Sequence, residues 1–330
     1  MPLPPWHPDS LAARMPFLRR RALLTQATRA FFTARGYTEV ETPYAVPAPG
    51  EEIHVAAFRT ERMDTAGART PLWLHTSPEF AMKRLLVAGA GPVFQLARVW
   101  RNGEGSDTHA AEFTMLEWYR PGATLAGLID EMEAFLRAVL PPVVSCRGVT
   151  TALDGFDRLT MQDAFARYAG ADMLGTAGDP AALARQAGAT LRAGEAWEDL
   201  FFRLLLERIE PQLGRTRPTF LTHWPAAQAA LARRDPADPR AALRFELFVC
   251  GLELANAFEE LTDAAEQRAR FIEDRARRHA LYGEDWPMDE DFLAALAHGM
   301  PPGCGVALGF DRLAMIASGA WRIDQVQWLP

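Results

Sequence analysis

"RFELFVCGLELANAFEEL", residues 244–261, sets three glutamates, Glu246, Glu253 and Glu260, seven residues apart in an otherwise almost wholly apolar stretch. Carboxylates are among the side chains least often fully buried without a partner. Along a flat strand an odd spacing puts successive glutamates on opposite faces, whereas on a helix seven residues return to nearly the same face. A helix here would be apolar nearly all round and interrupted by Gly251. Two strands with a turn or bulge at Cys250–Gly251 would restore a common face. Three carboxylates brought together repel one another unless cations neutralise them. A hard divalent ion such as Mg²⁺ is the natural guest, since it takes oxygen ligands and also holds substrate phosphates. Solvation, or pairing with structural arginines, is the other reading this segment allows.

The rest of the chain is that of a soluble enzyme-sized protein. It has 330 residues, 23% charged and 49% hydrophobic, enough for a sizeable core. A formal net charge of −7 argues against indiscriminate nucleic-acid binding. Cys146, Cys250 and Cys304 are far apart with no metal-ligand spacing, which suits reduced thiols in the cytoplasm. No signal peptide or membrane-spanning run is visible, so no membrane partner is expected.

After Pro16, "FLRRRALLTQATRAFFTARG" has helical periodicity and ends at Gly36. "YTEVETP" and "PLWLHTS" alternate like strands, and "PEFAMKRLLVAG" reads as a helix with proline in its first turn. "PVFQLARVWR" and "EFTMLEWYRP" are expected to pair antiparallel across the loop "NGEGSDTHAA". From 124 to about 212 the chain reads as mainly helical; strands follow at "RPTFLTHWP" and in the opening segment, then helices at roughly 264–282 and 288–299. "GCGVALGFDRLAMIASGA" closes the chain as a short strand entering a helix. Antiparallel clusters with helices between them predict an α+β fold.

Two further stretches carry chemistry. Arg101 ends a strand before a loop crowded with Glu104, Asp107, His109 and Glu112, and its guanidinium offers a fork of donors for phosphate or carboxylate. An exposed hairpin tip is the plainer reading of that loop. "GCGVALGFDRL" sets close-spaced glycines ahead of Arg312, but it is neither a P-loop nor a dinucleotide fingerprint.

In order and context these pieces resemble the class II aminoacyl-tRNA synthetase catalytic core in its lysyl branch. "LHTSPEFAMKRLLVAGAGPVFQLARVWRN", "EFTMLEWYRP" and "GVALGFDRL" are similar almost word for word to the elongation factor P lysine ligases, which are paralogues of lysyl-tRNA synthetase. The resemblance implies an antiparallel sheet flanked by helices over residues 17–330, with an N-terminal tail at 1–16, the helical insertion, and no anticodon-binding domain. Arg101 would hold the α-phosphate of ATP, with Asn102, Gly103 and His109 beside it, and Phe113 would stack on adenine. Arg312 would meet the departing pyrophosphate, with Gly309 and Leu254 beside the nucleotide. Glu246 and Glu253 would bind Mg²⁺, and Glu260 would meet the amino-acid ammonium. Ser77, Pro78, Glu79, Tyr119, Asn256 and Ala307 would complete the amino-acid pocket.

The implied activity is ATP-dependent formation of a lysyl or β-lysyl adenylate and its transfer to a lysine of elongation factor P. The expected enzyme is a cytoplasmic homodimer, with tRNA an unlikely acceptor. A minimal lysyl-tRNA synthetase-like ligase and a weakened regulatory paralogue are the rival readings. Two departures bear on the nucleotide. Gly103 stands where the motif has an acid, displaced here to Glu104, and Ala110 and Ala111 replace an Asn-Pro pair. Losing one charge-assisted hydrogen bond costs about 1.5–3 kcal/mol. In the third motif, Ala307 stands where lysyl-tRNA synthetases have glycine, and its methyl is expected to favour β-lysine over α-lysine.

Overall fold

The computed structural model describes residues 3–330. Helix α1 (Pro8–Thr33) leads into β1 (Thr38–Glu39), then β2 (Ala45–Val46), β3 (Phe58–Met63) and β4 (Arg69–Leu74). Helix α2 (Glu79–Val87) precedes β5 (Val93–Trp100) and β6 (Glu112–Pro121), and α3 (Leu125–Val139) precedes β7 (Val143–Cys146), β8 (Val149–Ala152) and β9 (Asp157–Thr160). The chain continues through α4 (Met161–Ala164), α5 (Pro180–Ala187) and α6 (Trp197–Leu204) to β10 (Thr219–Pro225), β11 (Ala241–Val249) and β12 (Leu252–Glu259). Helices α7 (Ala264–Tyr282) and α8 (Glu290–Gly299), strand β13 (Gly303–Gly309) and helix α9 (Phe310–Ser318) complete it.

One sheet of eight strands, in the order β1-β5-β6-β13-β12-β11-β10-β9, organises the molecule. Its central pairs are antiparallel, and only the edge pairs β1–β5 and β9–β10 run parallel. Along β6 the side chains alternate as a strand requires. Leu116 and Trp118 join Phe32, Phe94 and Phe135 in the core beneath α1 and α3. Phe113, Met115 and Tyr119 face the other way, into the main cavity. Two buried ends of this architecture are locked by an ion pair between Arg21 of α1 and Asp311 of α9. A second core, around Phe165, Phe201 and Trp224, packs the 161–213 segment against β10 and β11.

The opening segment is a hairpin, and its pairing answers the parity problem. Cys250 (φ 53°) and Gly251 (φ 72°) both adopt the left-handed turn that joins β11 to β12. Phe248 then pairs with Glu253, which puts Glu253 on the face of Glu246, since directly opposed residues share a face. The register next slips: Leu247 pairs with Ala255, leaving Leu254 as an extra residue. That bulge brings Asn256, opposite Glu246, onto the same face, and Phe258 and Glu260 follow by alternation.

One expectation needs correction. Pro16 does not open the first helix but lies inside α1, which starts at Pro8, so residues 8–16 are helical rather than a tail. Proline removes one backbone hydrogen bond, but tertiary contacts hold the preceding turns. Arg14 donates to the carbonyls of Pro5 and Gln327, each at 2.7 Å. The region 124–212 carries helices α3 to α6 and, between them, short strands. Arg147 and Gly148, both at positive φ, turn a hairpin between β7 and β8, and β9 extends the main sheet. Finally, β3 was invisible to periodicity because five of its six residues are exposed.

The hairpin turn generates a test. A β-branched residue in the left-handed region costs on the order of 1–2 kcal/mol, so Gly251→Val should lower Tm by roughly 1–3 °C. An unchanged melting curve in differential scanning calorimetry would show that the turn does not need this conformation.

Candidate active site

The hairpin face carrying Glu246 and Glu253 opens onto a cavity of about 300 Å³, bounded by β6, β12, β13 and the loop after β5. Its contents divide into a half rich in arginine and a half rich in buried acid.

Arg101 and Arg312 dominate the first half. Arg101 Nε is buried with no hydrogen-bond partner, its guanidinium lies 5.5 Å from the centre of the Phe113 ring, and Nη2 is 3.8 Å from Glu52 Oε2. A buried guanidinium left partly unsatisfied is primed for an anionic ligand. Arg312 is more fully engaged: Nη1 donates to the Glu253 carbonyl at 2.7 Å and Nε to the Thr108 carbonyl at 3.3 Å. Its Nη2 meets His109 Nε2. Burial and the Arg312 charge hold His109 below its ordinary range, so the ring is neutral and accepts from Arg312. Its Nδ1–H then faces Ser106 Oγ at 2.9 Å. Gly309 and Leu254 also line this half.

Asn102 and Gly103 do not line the cavity. The Asn102 amide donates to Ala56 at 2.7 Å, and its side chain accepts from Gly103, which turns the chain at φ 81°. Glu104 takes the inward position instead. Burial raises its carboxyl, while Arg101 and Arg312 pull it back. The acid displaced by one residue in sequence thus returns to the cavity.

Glu246 and Glu253 face the border between the halves. Burial, then the Glu253 charge, pushes the Glu246 carboxyl up to about 8, against the pull of Arg244, whose Nη2 lies 2.6 Å away. Glu210, on the segment after α6, is a further acid nearby, raised to about 7 by burial and by Glu253. Among the described residues no three histidine, cysteine or acidic side chains converge closely enough to hold a metal ion alone. Two neighbouring carboxylates supplemented by phosphate oxygens nevertheless match the donor set Mg²⁺ takes. The residues fit the ion only together with a nucleotide.

The second half is built around Lys83, the only lysine in the chain; every other basic side chain among the 35 is arginine. Lys83 is about 1% exposed, with Nζ 2.5 Å from both Glu79 Oε1 and Glu260 Oε2. Burial disfavours its charge, but Glu260 and Glu79 outweigh that and hold it protonated. Beside them Glu117 is fully buried, accepting from Ser77 Oγ at 2.5 Å and Tyr119 Oη at 2.9 Å. Burial, then the Glu79 charge, pushes the Glu117 carboxyl up to about 8. A Cβ on Gly305 would collide with the Tyr119 ring and Glu260 Oε1, so only glycine fits there.

Ser77, Glu79, Tyr119, Asn256 and Ala307 line the cavity, and Ala307 pairs with both Glu117 and Asn256 across the sheet. Pro78 does not line it; it caps α2. Glu260 lies behind Gly305 with its charge already opposed by Lys83, so it reaches the cavity through the shared Lys83–Glu79 pair. Sequence reading missed Lys83 and Glu117. The i, i+4 spacing of Glu79 and Lys83 was the one available signal, whereas Glu117 looks like any acid on a strand.

Buried acids make stability depend on pH. Glu117 and Glu246 titrate near 8 when folded, against about 4.5 in an open chain. Between those values the folded state binds more protons than the unfolded, so stability falls as pH rises. Without ligand, Tm should be lower at pH 8.5 than at pH 6; a Tm that rises across this window would contradict the burial of ionisable acids.

Comparison with known proteins identifies the family. The family model for class II tRNA synthetases (D, K and N) matches residues 12–330. The elongation factor P–(R)-β-lysine ligase of Edwardsiella ictaluri (strain 93-146) is 42% identical over 327 residues, covering 97% of this chain and 96% of that protein. Ligases of the same name from Haemophilus influenzae (strain PittGG) and Sodalis glossinidius (strain morsitans) are 42% and 43% identical, each covering 97% of this chain and 96% of their own length. The chain belongs to the class II tRNA synthetase family and, within it, to the elongation factor P–(R)-β-lysine ligases.

Proposed function

We propose that this protein activates (R)-β-lysine with ATP and transfers it to the ε-amine of a lysine on elongation factor P. The observation that carries the reading is the charge of the second half-cavity. Three buried or half-buried carboxylates, Glu79, Glu117 and Glu260, face one ammonium, that of Lys83. Fully ionised, that group is short of positive charge. A lysine-type substrate brings two ammonium groups and would supply it.

In the first step a carboxylate oxygen of the amino acid attacks the α-phosphorus of ATP. An O–P bond forms, and pyrophosphate leaves with the electron pair of the bond that breaks. In our reading Arg101 neutralises the α-phosphate, Phe113 stacks on the adenine, and Arg312 gives up part of its contact with His109 to meet the pyrophosphate. Glu246 and Glu253 would hold Mg²⁺, which when bound supplies positive charge beside the phosphates. In the second step the acceptor amine, having lost a proton, attacks the adenylate carbonyl. The C–N bond forms, the C–O bond to AMP breaks, AMP departs with the electron pair, and the nitrogen's surplus proton passes to AMP or solvent. We place this reaction in the cytoplasm, carried out by a homodimer, with tRNA not the acceptor.

The direct test is intact-mass spectrometry of elongation factor P after incubation with the protein, ATP and either lysine isomer. The expected result is an ATP-dependent gain of one lysyl mass, greater with (R)-β-lysine. Lys83 is buried and is the chain's only lysine, so no lysine side chain of this protein competes as acceptor. No mass gain on the factor, or acylation of tRNA instead, would refute the assignment.

Isomer choice provides a separate test at Ala307, whose methyl borders the cavity between Glu117 and Asn256. One methylene of pocket volume is worth about 1–3 kcal/mol. Ala307→Gly should therefore raise kcat/KM for α-lysine relative to β-lysine roughly tenfold or more. An unchanged ratio would remove Ala307 from the choice.

A further inference from the structure

A second cavity of about 280 Å³ adjoins the first and shares Glu52, Arg244, Asn256 and Phe258 with it. Four acids, Glu51, Glu52, Glu198 and Asp274, line it against the guanidiniums of Arg244 and Arg277. Neither guanidinium is free. Arg244 is bound to Glu246 and to Asn256 Oδ1, and Arg277 gives both of its terminal nitrogens to Glu198. Glu51 is only 7% exposed, and its Oε1 is buried with no hydrogen-bond partner. A buried, unsatisfied carboxylate oxygen is costly unless a ligand completes it.

The wall of this cavity is deliberately held. Arg278 of α7, itself buried, donates to the carbonyls of Glu52, Ile53 and Val55 at 2.8–2.9 Å, fixing the 51–55 loop that carries both glutamates. Trp286 Nε1 donates to the Gly50 carbonyl at 2.9 Å and anchors the loop's other end. The unsatisfied acid therefore sits in a braced wall.

We infer that this second cavity is the port through which the acceptor's side-chain ammonium reaches the adenylate, with Glu51 and Asp274 as its counter-charges. The inference rests on the proposed transfer to a protein lysine and names the part of the surface that receives it. Three observations select this ligand. The lining is acidic, so it attracts a cation and repels a polyanionic nucleic-acid end. The volume accommodates an extended alkyl amine, and Phe258 and the Ala229–Ala232 wall suit its methylenes. The cavity meets the first at Arg244 and Asn256, on the substrate face of the hairpin. Burial also raises the Glu51 carboxyl to about 8, with Arg275 and Arg278 pulling back and Asp274 and Asp289 adding to the rise. An incoming ammonium would find a carboxyl poised to ionise against it.

The test separates activation from transfer in the full chain. Pyrophosphate exchange with (R)-β-lysine and no acceptor reads adenylation alone, and steady-state acylation of elongation factor P reads both steps. Two variants are compared, each checked for an unchanged melting curve: the double variant Glu51→Gln, Asp274→Asn, and Ala227→Lys, which adds a cation at an exposed position of the lining. Both should leave exchange within twofold of wild type while lowering kcat/KM for the acceptor at least tenfold. Acceptor kcat/KM unchanged in both variants would overturn the port alone. A matching rise in KM for β-lysine during exchange would also overturn it, making the cavity an entrance for the amino acid. Wild-type protein that exchanges pyrophosphate but never acylates the factor would refute the transfer reading itself, and the port with it.

Discussion

Two departures from regular pairing, the left-handed turn at Cys250–Gly251 and the extra residue at Leu254, decide which side of the sheet each polar residue of the hairpin faces. Because strand side chains alternate, a slip of one residue would send a set of acids into the apolar core. With both departures present, Glu246, Glu253 and Asn256 line the cavity, Glu260 follows on the same face against Lys83, and Glu259 turns away to accept from the Leu125 amide and pair with Arg233. Apolar packing beneath the sheet, from Phe32, Phe94, Trp118 and Phe135, holds the face in place. Function on one side is thus tied to hydrophobic burial on the other.

Charge is the second organising quantity. Across the site, each buried acid has a cation, a donor or a raised pKa, as burial of ionised groups demands. Arg244 serves Glu246, Lys83 serves Glu79 and Glu260, and Ser77 and Tyr119 serve Glu117. At Lys83 a compact ammonium fits between two carboxylates where a planar guanidinium would need more room. Arg101, by contrast, keeps an unsatisfied buried nitrogen. A decayed, regulatory paralogue would have no physical reason to keep such a group, and its persistence favours an active enzyme.

Much of this was legible in the amino-acid sequence, and the failures have physical causes. Strands β5, β6, β11, β12 and β13 and helices α2, α7, α8 and α9 announced themselves through alternation, caps and glycine punctuation. If the segment formed strands, the odd spacing of the glutamates called for a turn or bulge to restore a common face, and the structure contains one of each. Hidden features depend on partners distant in sequence. Lys83 and Glu260 are 177 residues apart, and nothing local to either reveals that they pair. Nor does local sequence show that Asn102 turns outward onto Ala56 while Glu104 turns in. Pro16 misled for the opposite reason: its local signal is strong, but contacts to the far end of the chain override it.

The central claim is that an acid-rich, partly protonated pocket waits for a doubly charged substrate. Its most direct test is isothermal titration calorimetry of (R)-β-lysine binding near pH 7.5, in buffers of different ionisation enthalpy. Ammonium groups arriving beside Glu117 should lower a carboxyl pKa now raised by burial, so binding should release protons to the buffer. Net proton release that shrinks as pH rises above about 8 is the predicted result. No proton exchange, or net uptake, would contradict the account.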